Sequence, residues 1–171
     1  MAVKKAIAVI ASENQTAFKI INKLAAGNYR ILLISKDKNP FTKLTANLKK
    51  KYPNAELIIQ DCAKDGCWEA DIIVLAIAAF EVKEVAAMIR DVAIQKIVVV
   101  ADVNEINKEN IIADLKILLP HSKVAGFSNS SNCSTTFFEN DDRKDLEQLL
   151  DLLNSEGISL QKNKLSTNKN V

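Results

Sequence analysis

Apolar positions in this chain come in short dense runs, separated by stretches where they recur every three or four residues. From Val3 to Ile10 nearly every residue after Lys5 is apolar, as a strand covered on both faces requires. Phe18, Ile21, Leu24 and Ala25 then recur at helical spacing, and Gly27-Asn28 closes that helix. YRILLIS predicts a second buried strand. NPFTKLTANLKKKYPNA predicts a helix with Pro40 near its start, a basic face and a Pro-Asn exit. ELIIQ predicts a short strand, followed by a loop of Cys, Lys, Asp and Gly (62–66) and the acidic WEAD. IIVLAIA is the most apolar strand of the chain. EVKEVAAMIRDV predicts a helix whose inner stripe is Val82, Val85, Ala86 and Ile89. KIVVVAD then predicts a strand and NKENIIADLKILL a helix.

This alternation points to an α/β fold: a doubly wound, mostly parallel sheet with helices on both faces. Right-handed crossovers leave few topologies for it. The last third changes character. SKVAGFS and STTFFE predict strands around the polar NSSNC, followed by a helix over DDRKDLEQLLDLLNSEG and a short strand ISLQ. Residues 1–161 are expected to form a single domain, and the nearly apolar-free stretch 162–171 a disordered tail.

With 171 residues, 48% of them apolar, the chain can bury a sizeable core. The 23 basic and 21 acidic side chains leave a net charge of +2, which argues against a dedicated nucleic-acid binder. No apolar run reaches the ~18 residues of a membrane helix, so no membrane partner is expected. Three cysteines without a framework spacing suit a reducing, cytoplasmic setting. Whether the chain pairs into a homodimer stays open.

Candidate chemistry starts at the first strand-to-helix turn, ASENQT. A dinucleotide-binding turn wants glycines in the order G-x-G-x-x-G: for the turn itself, for close approach of backbone to pyrophosphate, and for helix-on-strand packing. Ala11, Glu13 and Thr16 hold those places. Glu13 puts a carboxylate where a diphosphate would lie, and like charges ~4 Å apart repel by roughly 1 kcal/mol even in water. Ser12 and Gln15 also spell S-x-x-Q, a capping box that would consume helix N-terminal donors. The bland alternative to a phosphate cradle is therefore a self-capped helix start. At the end of the second strand, Lys36 suits a 2′-phosphate, whereas an acid there would bind an NAD ribose; a solvated lysine is the competing explanation. His121, the sole histidine, has no ligand partner at metal spacing and is expected in a surface loop. Cys62 and Cys67 match neither redox nor zinc spacing.

Taken together, these segments resemble the deazaflavin-dependent NADP reductase family, a Rossmann group related to pyrroline-carboxylate reductases. The resemblance runs from about Ala6 to Leu160. It is carried by IAVIASENQTAFKIINKLAAGNYRILLISKD, with Asn14 inside the turn, and by Ser35-Lys36 where the family has Ser-Arg. EADIIVLAIAAFEVKEV follows, with Ala78 at the usual Pro, then KIVVVADVN, LLPHSKVAGFSN and FFENDDRKDLEQLLDLLNSEGISL. All three turn glycines are replaced. The family's Lys-Ala-Phe-Asn is Ala125 to Ser128 here, and the Gly before the Asp pair is Asn140.

The resemblance implies a Rossmann-like domain and NADP as the cofactor of an oxidoreductase. The implied cofactor-binding residues are Ser12, Glu13, Asn14 and Gln15; Ser35 and Lys36, clamping the 2′-phosphate; Ala78, Ala79 and Phe80; and Asn104. No catalytic residue or metal ligand is indicated. A non-catalytic Rossmann-like module that has lost the dinucleotide is the alternative. Either way, Ala11 to Asn14, Ser35 to Lys36 and Ala78 to Phe80 should border one crevice at the carboxyl ends of the first, second and fourth strands. With a self-capped turn and Glu13 in place, pyrophosphate is expected to bind there weakly.

Overall fold

A computed structural model describes residues 3–101, 108–130 and 133–138. The elements in chain order are β1 (Lys5–Ala11), α1 (Gln15–Ala26), β2 (Tyr29–Ile34), α2 (Asn39–Lys51), β3 (Glu56–Gln60) and α3 (Ala63–Glu69). β4 (Ile72–Ala76), a single 3₁₀ turn (Ala79–Glu81) and α4 (Val82–Ile89) come next. β5 (Ile97–Ala101), α5 (Lys108–Leu118), β6 (Lys123–Ser130) and β7 (Cys133–Phe138) complete the set.

The strands form one sheet in the order β3-β2-β1-β4-β5-β6-β7. Six run parallel, and β7 pairs antiparallel with β6. This is the expected doubly wound α/β sheet, with its change of direction between β1 and β4.

The dense apolar runs become central strands because both faces of the sheet are covered. On β1, Ile7, Val9 and Ala11 point to one face, packing with Ile20, Ile21 and Leu24 of α1 and Phe41 and Leu48 of α2. Ala8 and Ile10 point to the other, packing with Cys67 of α3, Val85 and Ile89 of α4 and Leu115 of α5. Leu32, Ile73 and Leu75 are fully buried in that second layer. Each such side chain contributes about 1.5–3 kcal/mol by leaving water. The inner stripe expected for α4 is buried at all four positions, Val82, Val85, Ala86 and Ile89.

Several boundaries differ from the sequence expectation. β1 starts at Lys5 rather than Val3 and runs on to Ala11. The segment read as a loop at 62–66 is the start of α3, a seven-residue helix. Gly66 lies inside this helix, and a Cβ there would come within 2.7 Å of Ile34 Cδ1. The glycine lets α3 lie close on β2, a packing reason that local propensity cannot reveal. β6 and β7 extend into the polar segment that looked like their loop, reaching a Ser130–Cys133 pair.

The expected C-terminal helix, the ISLQ strand and the tail 162–171 all lie outside the described residues. Among the described residues, no helix is long and apolar enough to cross a membrane.

Candidate functional site

β1 continues its pairing with β4 one residue past its end: the Ser12 N–H donates to the Ala76 carbonyl at 3.1 Å. That bond overturns the expected Ser12–Gln15 capping box. Ser12 is still held by the neighbouring strand, so the helix cannot begin until two residues later. Asn14 is the N-cap, with extended backbone (φ −148°, ψ 163°) and its side-chain oxygen accepting the Ala17 N–H at 2.8 Å. The first intrahelical bond runs from the Phe18 N–H to the Asn14 carbonyl. Gln15 is exposed and its side chain does not reach back to Ser12. Among the described residues, the backbone N–H groups of Glu13, Asn14, Gln15 and Thr16 therefore have no hydrogen-bond partner. Glu13 itself is exposed.

The next turn is built differently. After β4, Ala78 is extended and the chain makes one 3₁₀ turn, closed by the Glu81 N–H on the Ala78 carbonyl at 2.9 Å. Alanine offers no side-chain acceptor, so only half of a capping box can form. The Glu81 carboxylate reaches back to the Ala78 N–H at 3.2 Å. The same oxygen, Oε2, accepts the Ser12 hydroxyl at 2.9 Å. The other oxygen lies 3.8 Å from Lys36 Nζ, at the end of β2.

Glu81 thus joins the carboxyl ends of β1, β2 and β4. Its side chain is 19% exposed, whereas that of Lys36 is 82% exposed. An ion pair at that distance and exposure is weak.

The three segments expected at one crevice are therefore brought together: Ser12 through Asn14, Lys36 beside half-buried Ser35, and Ala78 through Glu81. Ala78 is half-buried, Ala79 is exposed and Phe80 is 85% exposed. Asn104 lies outside the described residues. Glu81 was absent from the candidates named from sequence. Its one signal was the spacing A-x-x-E behind an apolar strand, half of a capping pattern. No spacing rule would have led from there to Ser12, 69 residues away.

The remaining titratable features lie elsewhere. Lys96, just before β5, donates from Nζ to the Cys67 and Trp68 carbonyls of α3, at the amino-terminal ends of the strands. Burial lowers its pKa. Burial also pushes the Cys67 thiol up to about 12, so it is inert at neutral pH. Cys62 is exposed, and His121 is exposed in the turn before β6. Among the described residues, no cluster of His, Cys, Asp or Glu could hold a metal ion.

No protein-family model and no curated protein matches the chain. Solved structures do. A glycerol-3-phosphate dehydrogenase from Coxiella burnetii superposes with a TM-score of 0.68 at 14% identity, over 94% of this chain and 54% of that one. A pyrroline-5-carboxylate reductase from the same organism gives 0.63 at 18% identity, over 92% and 58%. A protein assigned as an F420-dependent NADP reductase from an Arthrobacter species gives 0.62 at 16% identity, over 90% and 82%.

The likeness shows the fold. The sheet is Rossmann-like, of the kind these dehydrogenases and reductases use. The chain spans little more than half the length of the first two.

Proposed function

We propose that this chain is a Rossmann-like module that binds a nicotinamide dinucleotide, NADP(H) in preference to NAD(H), in the manner of the deazaflavin-dependent NADP reductases. The observation that carries the reading is the pairing of two anion-seeking features at one crevice. Four N–H groups at the start of α1 have no partner among the described residues, and Lys36 extends into solvent at the end of β2. In a doubly wound sheet these places face the pyrophosphate and the adenosine ribose. The donors suit the group. The carboxylates of Glu13 and Glu81 oppose it and weaken it.

In this reading Glu13 to Thr16 hold the pyrophosphate by backbone N–H, while Ser35 and Lys36 hold the 2′-phosphate. Ala78, Ala79 and Phe80 wall the crevice, and the resemblance adds Asn104 as a cofactor contact. The dinucleotide supplies hydride chemistry when bound, and the chain orients it. Both the deazaflavin partner and the choice of NADP rest on the sequence resemblance and on the charge of Lys36.

A second reading, a non-catalytic module without a dinucleotide, is favoured by Ala11, Glu13 and Thr16 standing at the three glycine places.

A thermal-shift titration with NADPH, NADH and a control nucleotide separates the two. The first reading expects NADPH to stabilise more than NADH, and Lys36→Ala to narrow the gap. Equal stabilisation by both removes the NADP preference. No stabilisation by either at millimolar concentration favours the second reading.

A further inference from the structure

The Glu81 carboxylate collects three donors, one from each strand end that borders the crevice. These are the Ser12 hydroxyl after β1, the Ala78 N–H after β4, and the Lys36 ammonium after β2. A hydroxyl, a backbone N–H and an ammonium converging on two oxygens is the set of partners that a bound phosphate usually recruits. Here they converge on a side chain of the protein itself. The contacts are partly buried at Ser12 and Ala78 and open to solvent at Lys36, so the Lys36 end is the one a ligand can reach.

We propose that Glu81 is the specificity-determining residue of this crevice: an internal anion that must yield its donors, Lys36 above all, before a phosphate can bind. The inference rests on the dinucleotide reading above and adds its controlling residue.

Two consequences follow from charge alone. A 2′-phosphate drawn to Lys36 meets a carboxylate already beside that ammonium, so the native protein gains less from the 2′-phosphate than an unencumbered lysine would allow. Removing the charge at Glu81 while keeping its shape frees Lys36, since the amide oxygen of a glutamine can still accept the Ser12 hydroxyl and the Ala78 N–H. The gain should be larger for the ligand with more negative charge near Lys36.

Glu81→Gln is the test variant, with Glu81→Ala beside it and circular dichroism to verify folding of each. Binding of NADPH and of NADH is measured by calorimetry at low salt for the native chain and both variants. The expected result is an NADPH affinity raised about tenfold in Glu81→Gln, against about threefold or less for NADH, since like charges a few Å apart repel by this order. Adding Lys36→Ala to Glu81→Gln should cancel most of the difference between the two ligands.

Native protein that binds NADPH, with no change in Glu81→Gln, overturns the role of Glu81 and leaves the dinucleotide reading standing. Absence of binding by the native chain and by both folded variants overturns the dinucleotide reading and the role of Glu81 with it. Binding that appears only in the variants supports both. If Glu81→Gln does not fold, the same outcomes are read on Glu81→Ala and on Ser12→Ala, which removes one of the three donors and should loosen the carboxylate's hold.

Discussion

The turns that follow β1 and β4 sit side by side on paired strands, where Ala11 lies opposite Ala76, yet they satisfy their polar groups in opposite ways. The β1 turn caps itself. Asn14 takes the Ala17 N–H within its own first helical turn, and the N–H groups of Glu13 to Thr16 have no partner among the described residues. The β4 turn cannot do this, because Ala78 carries no acceptor. Its Glu81 reaches back from three residues on, and the remaining bonding capacity of that carboxylate goes to Ser12 and Lys36 on other strands. The Asn14 cap serves one helix, and its amide donates weakly to the neighbouring Ala76 carbonyl of β4 at 3.5 Å. A cap borrowed from a charged side chain bonds two strand ends, stands beside Lys36 at a third, and puts an anion where a nucleotide-binding fold presents its phosphates.

Both turns stand on one apolar frame. Leu75 is fully buried on β4 opposite Ile10, directly beneath the two turns. Leu75→Ala should cost about 2–5 kcal/mol in urea unfolding and disturb both turns at once. A cost below about 1 kcal/mol would mean that the turns do not depend on the shared frame.

Cys67, buried under the central strands away from both turns, serves as a control. The folded state keeps Cys67 as a neutral thiol with its pKa pushed from about 9 up to about 12, while the unfolded chain ionises it from about 9. A raised folded pKa gives stability that is fully present below about pH 9 and is lost as pH rises toward about 12. The loss should reach the order of a few kcal/mol. Denaturation followed across that range should show the decline, and Cys67→Ala should flatten it. The Glu81 and Asn14 variants should leave the slope unchanged. An equal slope in Cys67→Ala would assign the decline to other groups.

The third prediction separates the two caps directly. Asn14→Ala should cost about 1 kcal/mol as a lost N-cap. Ser12→Ala should cost about 0.5–1.5 kcal/mol, as a lost hydrogen bond and not as a lost cap. In double-mutant cycles with Glu81→Ala, Ser12→Ala should show a coupling above about 0.5 kcal/mol, whereas Asn14→Ala should be additive. Coupling at Asn14 instead of Ser12 would reverse the distinction between the local and the borrowed cap.

The smallest effect belongs to Lys36. Its side chain is 82% exposed and its ion pair spans 3.8 Å, so Lys36→Ala should change stability by less than about 0.5 kcal/mol. A larger loss in thermal unfolding without nucleotide would make Lys36 a structural partner of Glu81 rather than a residue held for a ligand.

Much of the frame was legible in the linear chain. Runs such as IAVI and IIVL cannot be half-exposed, so they had to become strands covered on both faces, and the helical stripes between them had to supply the covers. Strand alternation with single helices then left the doubly wound sheet, and with it the crevice where the ends of β1, β2 and β4 meet. The positions of Ser12, Ser35, Lys36 and Ala78 along that edge follow from the same pattern. Tertiary structure decided what sequence spacing does not encode. Gly66 sits inside a helix with the end of the Ile34 side chain of β2 packed where a Cβ would stand. Ser12 gives up the cap to Asn14 because its N–H is claimed by the Ala76 carbonyl of β4. Glu81 meets Ser12 and Lys36 only once three parallel strands stand in register, since a carboxylate takes the donors that folding brings within reach, however far away they lie in the chain.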